Sequence, residues 1–398
     1  MAVPQKILAL DGVIQPYAWG GFEFLADLIG KHQSKGEPWA EWWLGAHPKG
    51  SAKTAVGTLD KVISDRPAEV LSKEVKELFG GKLPFLLKVL DVQDMLSIQV
   101  HPTIEMARSG FVKEEQAGID RGAPNRNYRD QNHKPELAVA LTDFYLLHGF
   151  KSEDEIEKAL HRESAWVELQ EVFSRLGAKG VYMRIMRANE EELEQWLKPL
   201  ELRLKPPCRF EKSDPDHWAQ RAFERYGYDR GIFSIYFFNL VQLVPGEGIF
   251  QAARIPHAYL SGACVELMAN SDNVLRGGLT PKHVDTRELI KTIDFSSVRP
   301  EIRLGKKQAN GWEVFETPAP DFRLFRAELP AGKMIQLPEG PAILMVYTGE
   351  VSVKYRHSGE VFHKDFRRGQ ACWLAYGHGA EIHFLNDAKV YVASVGAS

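Results

Sequence analysis

The chain has 398 residues, more than one ordinary domain holds, so two or three packed units are expected. Its residues are 44% hydrophobic and 26% charged, a globular composition that excludes a disordered or fibrous protein. The 50 basic and 53 acidic residues leave a net charge of −3, which argues against a surface that coats nucleic acid or binds a membrane through a polybasic patch. No apolar run approaches the roughly 18 residues that a membrane span needs.

The cysteines are odd in number and widely spaced, at Cys208, Cys264 and Cys372. Neither a disulfide framework nor a cysteine-type zinc site is expected from them, and a reducing cytoplasm is the compartment that fits best. The N-terminal segment lacks the basic stretch followed by an apolar one that marks a secretory signal. The sequence contains no P-loop, no G-x-S-x-G and no complete G-x-G-x-x-G, so nucleotide-dependent chemistry is not expected.

Short apolar runs bounded by glycine, proline and asparagine predict strands in the first part of the chain, at 85–90, 96–100, 136–141 and 144–150. The pattern then becomes helical and charge-rich. Ser152 with Glu155, and Asn189 with Glu192, have the spacing of capping boxes at helix starts.

Strand-like runs resume at 232–244 and 249–267, and they recur at 342–347, 351–355, 371–375 and 389–395. We therefore predict a mainly β protein with a helical insertion. The predicted units are a catalytic β domain in two parts, 1–150 and 226–300, a helical insertion at 151–225, and a C-terminal β domain at 301–398. The C-terminal domain lacks a His/Glu cluster with metal-ligand spacing, so we expect it to be structural.

Polar and apolar residues alternate at the end of the second predicted strand. Ser97, Gln99 and His101 would share one face, while Ile98 and Val100 point into the core. Three polar side chains on one face are typical of a site, and equally of an ordinary amphipathic edge strand.

Two further segments supply groups that bind metals. The ionisable stretch 127–136 leads into a strand on which Lys134 and Glu136 share a face, although a solvated loop is the more frequent meaning of such a stretch. His257 follows a proline at the start of an apolar strand, where a packed core histidine is also common. Gln99, His101, Glu136 and His257 together suit a Zn²⁺ ion with an open coordination position, and they also suit other divalent ions.

The segment 265–282 combines proton-transfer and anion-binding groups, namely Glu266, Asp272, Arg276 and Lys282. Two glycines after Arg276 leave backbone that a ligand could approach. The alternative is a capped turn in which Arg276 pairs with Asp272.

Taken in order, these segments resemble type I mannose-6-phosphate isomerases (phosphomannose isomerases) over about residues 5–290. The matching stretches are QPYAWG at 15–20, EWWLGAHPK at 41–49, LLKVL at 86–90, LSIQVHP at 96–102, NYRDQNHKPE at 127–136 and the long run 256–282. The resemblance implies a cupin-like jelly-roll catalytic domain, an α-helical domain and a second, jelly-roll-like β domain. It also implies a zinc-dependent aldose–ketose isomerase that interconverts mannose 6-phosphate and fructose 6-phosphate.

The resemblance also implies roles for particular residues. The four metal ligands fall on the set already named, the catalytic arginine falls on Arg276, and phosphate contacts fall on Ser97, Lys88 and Lys282. We expect one zinc ion per chain, a small sugar phosphate as the only class of partner, no nucleic acid or membrane, and a monomer or weak dimer.

Isomerisation moves a proton between C1 and C2 through an enediol(ate), so it needs a proton carrier. The candidates are Glu266, Asp272, His133 and Lys134. We favour Lys134 together with His133, because both adjoin Glu136. Two other functions stay open: a metal-dependent cupin isomerase or epimerase acting on a different sugar, and a non-catalytic carbohydrate sensor with the same fold.

Overall fold

The computed structural model describes residues 6–33, 36–357 and 360–396, and most of its regular structure is β-sheet. The strands are β1 (Ile7–Leu10), β2 (Val13–Gln15), β3 (Glu41–His47), β4 (Gly50–Ser51), β5 (Lys53–Thr54), β6 (Gly57–Thr58), β7 (Phe85–Val92), β8 (Gln99–Val100), β9 (Glu136–Ala140), β10 (Phe144–Phe150), β11 (Phe238–Leu243), β12 (Gly248–Gln251), β13 (His257–Ala269), β14 (Leu275–Arg276), β15 (Lys306–Lys307), β16 (Glu313–Phe315), β17 (Arg323–Leu329), β18 (Met334–Gln336), β19 (Ala342–Thr348), β20 (Glu350–His357), β21 (Glu360–Arg367), β22 (Ala371–Leu374), β23 (Glu381–Phe384) and β24 (Ala388–Ser394).

The helices lie mostly before β7 and between β10 and β11. They are α1 (Phe24–Ile29), α2 (Leu59–Asp65), α3 (Pro67–Val70), α4 (Lys73–Leu78), α5 (Ile104–Gln116), α6 (Glu153–Leu160), α7 (Val167–Met186), α8 (Glu190–Leu204), α9 (Pro215–Tyr226), α10 (Ile232–Phe237) and α11 (Thr286–Thr292). Within the described residues, none of them is long and apolar enough to cross a bilayer.

Strand β13 organises an eleven-stranded sheet whose main path runs β11-β10-β13-β7-β3-β2. Its first half pairs with β10 and β8, and its second half pairs with β7 and β9. The pairing places Gln99 opposite His257, Lys88 opposite Glu266, and Glu136 opposite Met268. One strand therefore brings together segments that are far apart in the sequence.

Residues two apart on a strand share one face of the sheet, and on one face of this sheet an apolar layer and a polar layer follow each other along the strands. Apolar side chains from β7 and from β9 to β13 form a continuous buried cluster that includes Leu90, Ala138, Leu146 and Tyr259. The same strands also carry buried polar side chains, among them Lys88, Glu136, His148, Gln251, His257 and Glu266. Buried polar groups need partners, so we expect a ligand-binding site at this polar layer.

The C-terminal unit consists of two further sheets with one core between them. The seven-stranded sheet runs β1-β22-β19-β24-β17-β16-β15, and the four-stranded sheet runs β18-β23-β20-β21. The other face of the seven-stranded sheet packs on the eleven-stranded sheet. The shared apolar cluster joins Leu137 and Val265 to Leu324, Met345 and Trp373. The two units are therefore held together by buried apolar surface.

Strand β1 departs from the sequence-based division, which placed residues 1–150 together. Its backbone pairs with β22, with Ile7 opposite Leu374, so the first strand belongs to the C-terminal sheet. The local sequence does not reveal this pairing, because β1 and β22 lie near opposite ends of the chain. The other domain boundaries stay predictions.

The predicted capping boxes at Ser152 and Asn189 are both present and start α6 and α8. The prediction of strand from 232 was wrong for its first half, since Ile232–Phe237 is the helix α10 and only Phe238–Leu243 is strand. All six residues of α10 are buried, so tertiary packing overrides the strand propensity of its aromatic residues. Helices α1–α5 also lie in the first 150 residues, where only strands were predicted.

Candidate active site

A histidine–glutamate–histidine cluster lies at the end of β8, the start of β9 and the start of β13. His101 Nε2 is 3.3 Å from Glu136 Oε1, and His257 Nε2 is 3.3 Å from Glu136 Oε2. All three residues are buried, at 0%, 3% and 2% exposed for His101, Glu136 and His257. Within the described ranges this is the one group of three or more His, Cys, Asp or Glu side chains whose ligand atoms converge, all lying within 4.8 Å of one another.

Backbone contacts orient both imidazoles toward the carboxylate. His101 Nδ1 lies 2.8 Å from the carbonyl oxygen of Asn273, and His257 Nδ1 lies 3.0 Å from that of Ile255. A carbonyl oxygen only accepts, so each Nδ1 donates, and in a neutral ring each Nε2 then presents a lone pair to Glu136. Two lone pairs facing a carboxylate repel it, unless a cation lies between them.

The cluster fits a metal ion by three tests. His101 Nε2 is buried and makes no hydrogen bond to any described residue. Burial lowers the pKa of His101 to about 4, so the ring is neutral and can ligate at neutral pH. Tetrahedral zinc with ligand bonds of ~2.1 Å separates its ligand atoms by about 3.4 Å, close to the 3.3 Å between each Nε2 and Glu136.

Gln99 and Lys134 adjoin this cluster. Gln99 is opposite His257 on one side and opposite Arg276 on the other. Lys134 Nζ lies 3.0 Å from Glu136 Oε1. Although burial acts to raise it, the charge of Lys134 holds the pKa of Glu136 well below its usual range.

A cavity of about 860 Å³ lies beside the cluster, and it is lined by Gln99 and Lys134 but not by His101, Glu136 or His257. Of the residues predicted from sequence, those that line it are Lys88, Ser97, Gln99, Lys134, Asp272, Arg276 and Lys282. Ser97 precedes β8 in a stretch predicted as strand that forms no regular ladder, because Leu96 N donates to Tyr259 while Ile98 N donates to Gly278. The alternation still holds, since Ile98 and Val100 are both fully buried.

Lys88 is the centre of a buried ion network. Its Nζ lies 3.0 Å from Glu266 Oε2 and 3.3 Å from Glu41 Oε2. Burial opposes its charge, but Glu266, Glu41 and Glu136 raise the pKa of Lys88 above its usual value. Two carboxylates already neutralise this lysine, so it is less available to a phosphate than a cation without such partners.

Glu266 lies behind Lys88 and is 3% exposed, and it is not among the cavity-lining residues. Burial raises its pKa, and the charges of Glu136 and Glu41 act in the same direction. The geometry therefore favours a supporting place in the network over direct contact with a substrate.

Asp272 lies on the cavity wall, and its partners are not the one that the sequence suggested. Its Oδ2 is 3.0 Å from Lys49 Nζ, and its Oδ1 is 3.6 Å from His47 Nε2. Although burial acts to raise it, contacts with His47 and Lys49 hold the pKa of Asp272 below its usual range. The alternative in which Arg276 pairs with Asp272 is thus not what the structure has.

Arg276 lies on the cavity wall at the end of β14, and burial, followed by the nearby charge of Arg129, lowers its pKa. The glycines after it serve close packing, because a Cβ on Gly277 would lie 3.0 Å from Ile98 Cγ2 and a Cβ on Gly278 would lie 2.6 Å from Gly231 Cα.

Two further cations stand near Arg276 on the same wall. Lys282 has its pKa lowered by burial and by the charges of Arg276 and Arg129, and all three line the cavity. Arg129 was not singled out from the sequence, although it lies within the ionisable stretch 127–136. Three mutually repelling cations on one wall form a site for an anion such as a phosphate.

Asn273 is a second residue that sequence reasoning missed. Its side chain is fully buried and accepts from Arg129 N at 2.7 Å, while its Nδ2 donates to the carbonyls of Asp130 and Asn132 at 2.9 and 2.8 Å. Its own carbonyl accepts from His101. One amide thus fastens the loop that precedes Glu136 to a residue of the histidine–glutamate–histidine cluster.

His133, which was predicted as a catalytic residue, contacts the C-terminal unit and not the cavity. Its Nε2 lies 2.8 Å from Asp321 Oδ2 in the C-terminal unit, and His133 does not line the cavity. Neighbouring residues in an extended segment point to opposite sides, so Lys134 and His133 do not face the same space.

Residues 7–153 match the family described as phosphomannose isomerase type I, catalytic domain. Mannose-6-phosphate isomerase of Shigella flexneri is 37% identical over 352 residues, covering 85% of this chain and 88% of the relative. The Bos taurus protein of the same name is 33% identical over 387 residues, covering 87% and 89%.

Solved structures agree with this assignment. The apo form of mannose 6-phosphate isomerase from Salmonella typhimurium superposes with a TM-score of 0.88 at 32% identity, covering 98% of this chain and 100% of that chain. A mannose 6-phosphate isomerase bound with zinc and yttrium gives the same TM-score, 0.88, also at 32% identity and with the same coverage of 98% and 100%. Likeness at this level extends over both β units and the helices between them, and the chain belongs to the type I phosphomannose isomerases.

Proposed function

We propose that the chain interconverts mannose 6-phosphate and fructose 6-phosphate by proton transfer through an enediol(ate), with one zinc ion held by Gln99, His101, Glu136 and His257. The observation that carries the proposal is the pair of imidazole lone pairs directed at a buried carboxylate beside a polar cavity. The relatives named above, one of which is described with zinc, support the choice of reaction and metal.

The cavity has two chemically different ends, and a sugar phosphate matches both. Arg129 and Lys282 would bind the phosphate, with Ser97 and Lys88 as further contacts, while the reacting carbons lie toward Gln99 and the cluster. Binding a remote dianion supplies energy that orients C1 and C2 for reaction.

A bound zinc ion would supply Lewis-acid polarisation of the sugar oxygens. Arg276 would stabilise the negative charge that develops on the enediolate, because a guanidinium keeps its proton in this setting and presents a fixed pair of donors. Its place opposite Gln99, without a carboxylate partner in the described residues, supports that role.

Lys134 would carry the proton between C1 and C2, accepting it as the neutral amine and returning it to the neighbouring carbon as the ammonium. Its amine is on the cavity wall 3.0 Å from Glu136, next to where the reacting carbons would lie. Asp272 is a second cavity-wall candidate, whereas Glu266 and His133 would support the site from outside it.

A coupled assay of purified protein with mannose 6-phosphate, before and after chelation, tests the function. We expect activity that is lost on chelation and restored by zinc. Unphosphorylated mannose should react far more slowly, because it cannot occupy the cationic wall. Comparable rates with both sugars would favour an isomerase or epimerase for a different sugar, and a zinc-loaded protein inactive on every sugar would favour a sensor.

Elemental analysis should find one zinc ion per chain. The described residues contain one converging group of potential ligands, and it lies outside the C-terminal unit. A second tightly held equivalent that survives mutation of His101 would contradict this prediction.

Substituting the cationic wall should weaken substrate binding more than turnover. Lys282→Ala and Arg129→Ala should each raise KM for mannose 6-phosphate by about 10- to 100-fold, because a hydrogen bond to a charged group contributes about 1.5–3 kcal/mol. The matched control is Lys212→Ala, since Lys212 is a surface cation away from the cavity, beside Tyr145. An unchanged KM in both variants would show that the phosphate does not bind at this wall.

Lys134→Met keeps the length of the side chain and removes its amine. We expect kcat to fall about 10²–10⁴-fold, the usual range for one acid–base group, while KM changes little. Zinc content must be measured on the same sample, because Lys134 touches Glu136. If Lys134→Met kept both its turnover and its full zinc content, Asp272 would become the candidate proton carrier.

We further propose the three-domain cupin division predicted from sequence, with β1 moved to the C-terminal unit, together with a cytoplasmic location and a monomer or weak dimer. The free state of Cys208, Cys264 and Cys372 supports a reducing compartment. Size-exclusion chromatography with light scattering would determine the oligomeric state.

A further inference from the structure

The C-terminal unit reaches the segment that carries Lys134 and Glu136. Asp321 lies just before β17 and is 2% exposed, and its Oδ2 is 2.8 Å from His133 Nε2. The residues that follow it, Phe322 and Leu324, are buried in the apolar cluster shared by the two sheets. Asp321 is therefore fixed to a rigid part of the neighbouring unit.

Long-range contacts hold the backbone of this segment at both ends, whereas at its centre the His133 N–H makes only a local hydrogen bond, to Asn132 Oδ1 at 3.0 Å. The carbonyl of Asn132 accepts from Asn273 Nδ2 at 2.8 Å, and the carbonyl of Pro135 accepts from Ala269 N at 3.1 Å. Between them, Pro135 has no N–H to donate. The His133–Asp321 contact supplies the missing support from the side opposite the cavity.

We propose that Asp321 is a positioning residue for the active site, which holds His133 and thereby sets the place of Lys134 and Glu136. It acts through another residue and does not touch the substrate. Its kinetic consequence rests on the proposed function, whereas its effect on zinc affinity through Glu136 does not. The C-terminal unit then contributes to the site as well as to stability.

A pair of substitutions with similar volume separates positioning from packing. Asp321→Leu removes the acceptor without leaving a buried charge, and Asp321→Asn keeps an acceptor oxygen at the same place. We expect Asp321→Leu to weaken zinc affinity or lower kcat by about 10- to 100-fold, as the loss of residues that orient metal ligands does. Asp321→Asn should recover most of both.

The control is Met345→Ala, which removes buried apolar volume from the same shared cluster and does not contact His133. It should lower Tm while kcat and zinc affinity, measured well below Tm, stay at the wild-type level. His133→Leu should have the effect of Asp321→Leu, and the double variant should be no worse than either, because both remove one contact.

Three results would overturn the proposal: wild-type kcat and zinc affinity in Asp321→Leu, equal losses in the Leu and Asn variants, or additive losses in the double variant. Each would make Asp321 a packing residue only. If wild-type protein had no isomerase activity but Asp321→Leu still weakened zinc binding, the proposed function would fail and the positioning role would stand.

Discussion

His101→Ala should abolish isomerase activity, release the bound zinc and lower the Tm. The substitution removes an imidazole whose Nε2 faces Glu136 at 3.3 Å, and it leaves a buried carboxylate with one imidazole partner fewer. A ligand that binds only the folded state stabilises it by about 4 kcal/mol when present at a thousand times its Kd, and that contribution disappears with the site. Activity, zinc content and Tm should be measured on one preparation.

A second buried histidine provides the control. His378 is 3% exposed and lies in the C-terminal unit, where its ring contacts the backbone of Pro338 and Ala380. His378→Ala should lower Tm but keep zinc and activity. Added zinc should raise the Tm of wild type and of this control, but not that of His101→Ala. Full activity in a protein shown by elemental analysis to be metal-free would contradict the metal assignment.

Local patterns predicted the parts of the site that depend on strand alternation. The structure places Ser97 and Gln99 on the cavity wall and buries Ile98 and Val100, as the alternation requires. Strand β10 has the predicted bounds, Phe144–Phe150, because polar residues flank its apolar run on both sides. Period-2 alternation acts over neighbouring residues, so a single sequence carries it fully.

The contacts that the sequence did not reveal are long-range. Asn273 fastens the loop before Glu136, and Asp321 reaches His133 across 188 positions of the chain. Both residues resemble ordinary turn residues when only their neighbours are considered. Strand β1 is a similar case, since its partner β22 lies near the other end of the chain. Such contacts follow from how sheets stack, and no local period encodes them.

Helix α10 shows the reverse effect, in which local propensity gave the wrong answer. Its residues, Ile232–Phe237, are apolar and aromatic and would suit a strand. All are buried against helices of the same cluster, where Phe233 packs on Trp166 and Trp196. A fully buried apolar run has no period to separate helix from strand, so the surrounding packing decides.

Arg276→Ala should lower kcat about 10²–10³-fold, by analogy with the loss of one oxyanion-hole donor, and leave Tm and zinc content near wild type. The structure explains why Tm and zinc content should change little. Asp272, the expected structural partner, is engaged by Lys49 at 3.0 Å, so removing Arg276 leaves no buried carboxylate unpaired. Burial and Arg129 also lower the pKa of Arg276, which shows that the folded protein gains little from its charge.

The split between kcat and KM identifies what Arg276 stabilises. If its charge acts on the enediolate, kcat falls while KM changes little, whereas Arg129→Ala on the same wall should mainly raise KM. Arg276→Lys should restore little, because a point charge on a flexible stem does not reproduce a planar pair of donors. If Arg276→Ala instead raised KM as Arg129→Ala does, with kcat preserved, Arg276 would be a phosphate ligand. If kcat fell only in step with Tm, it would be a structural residue.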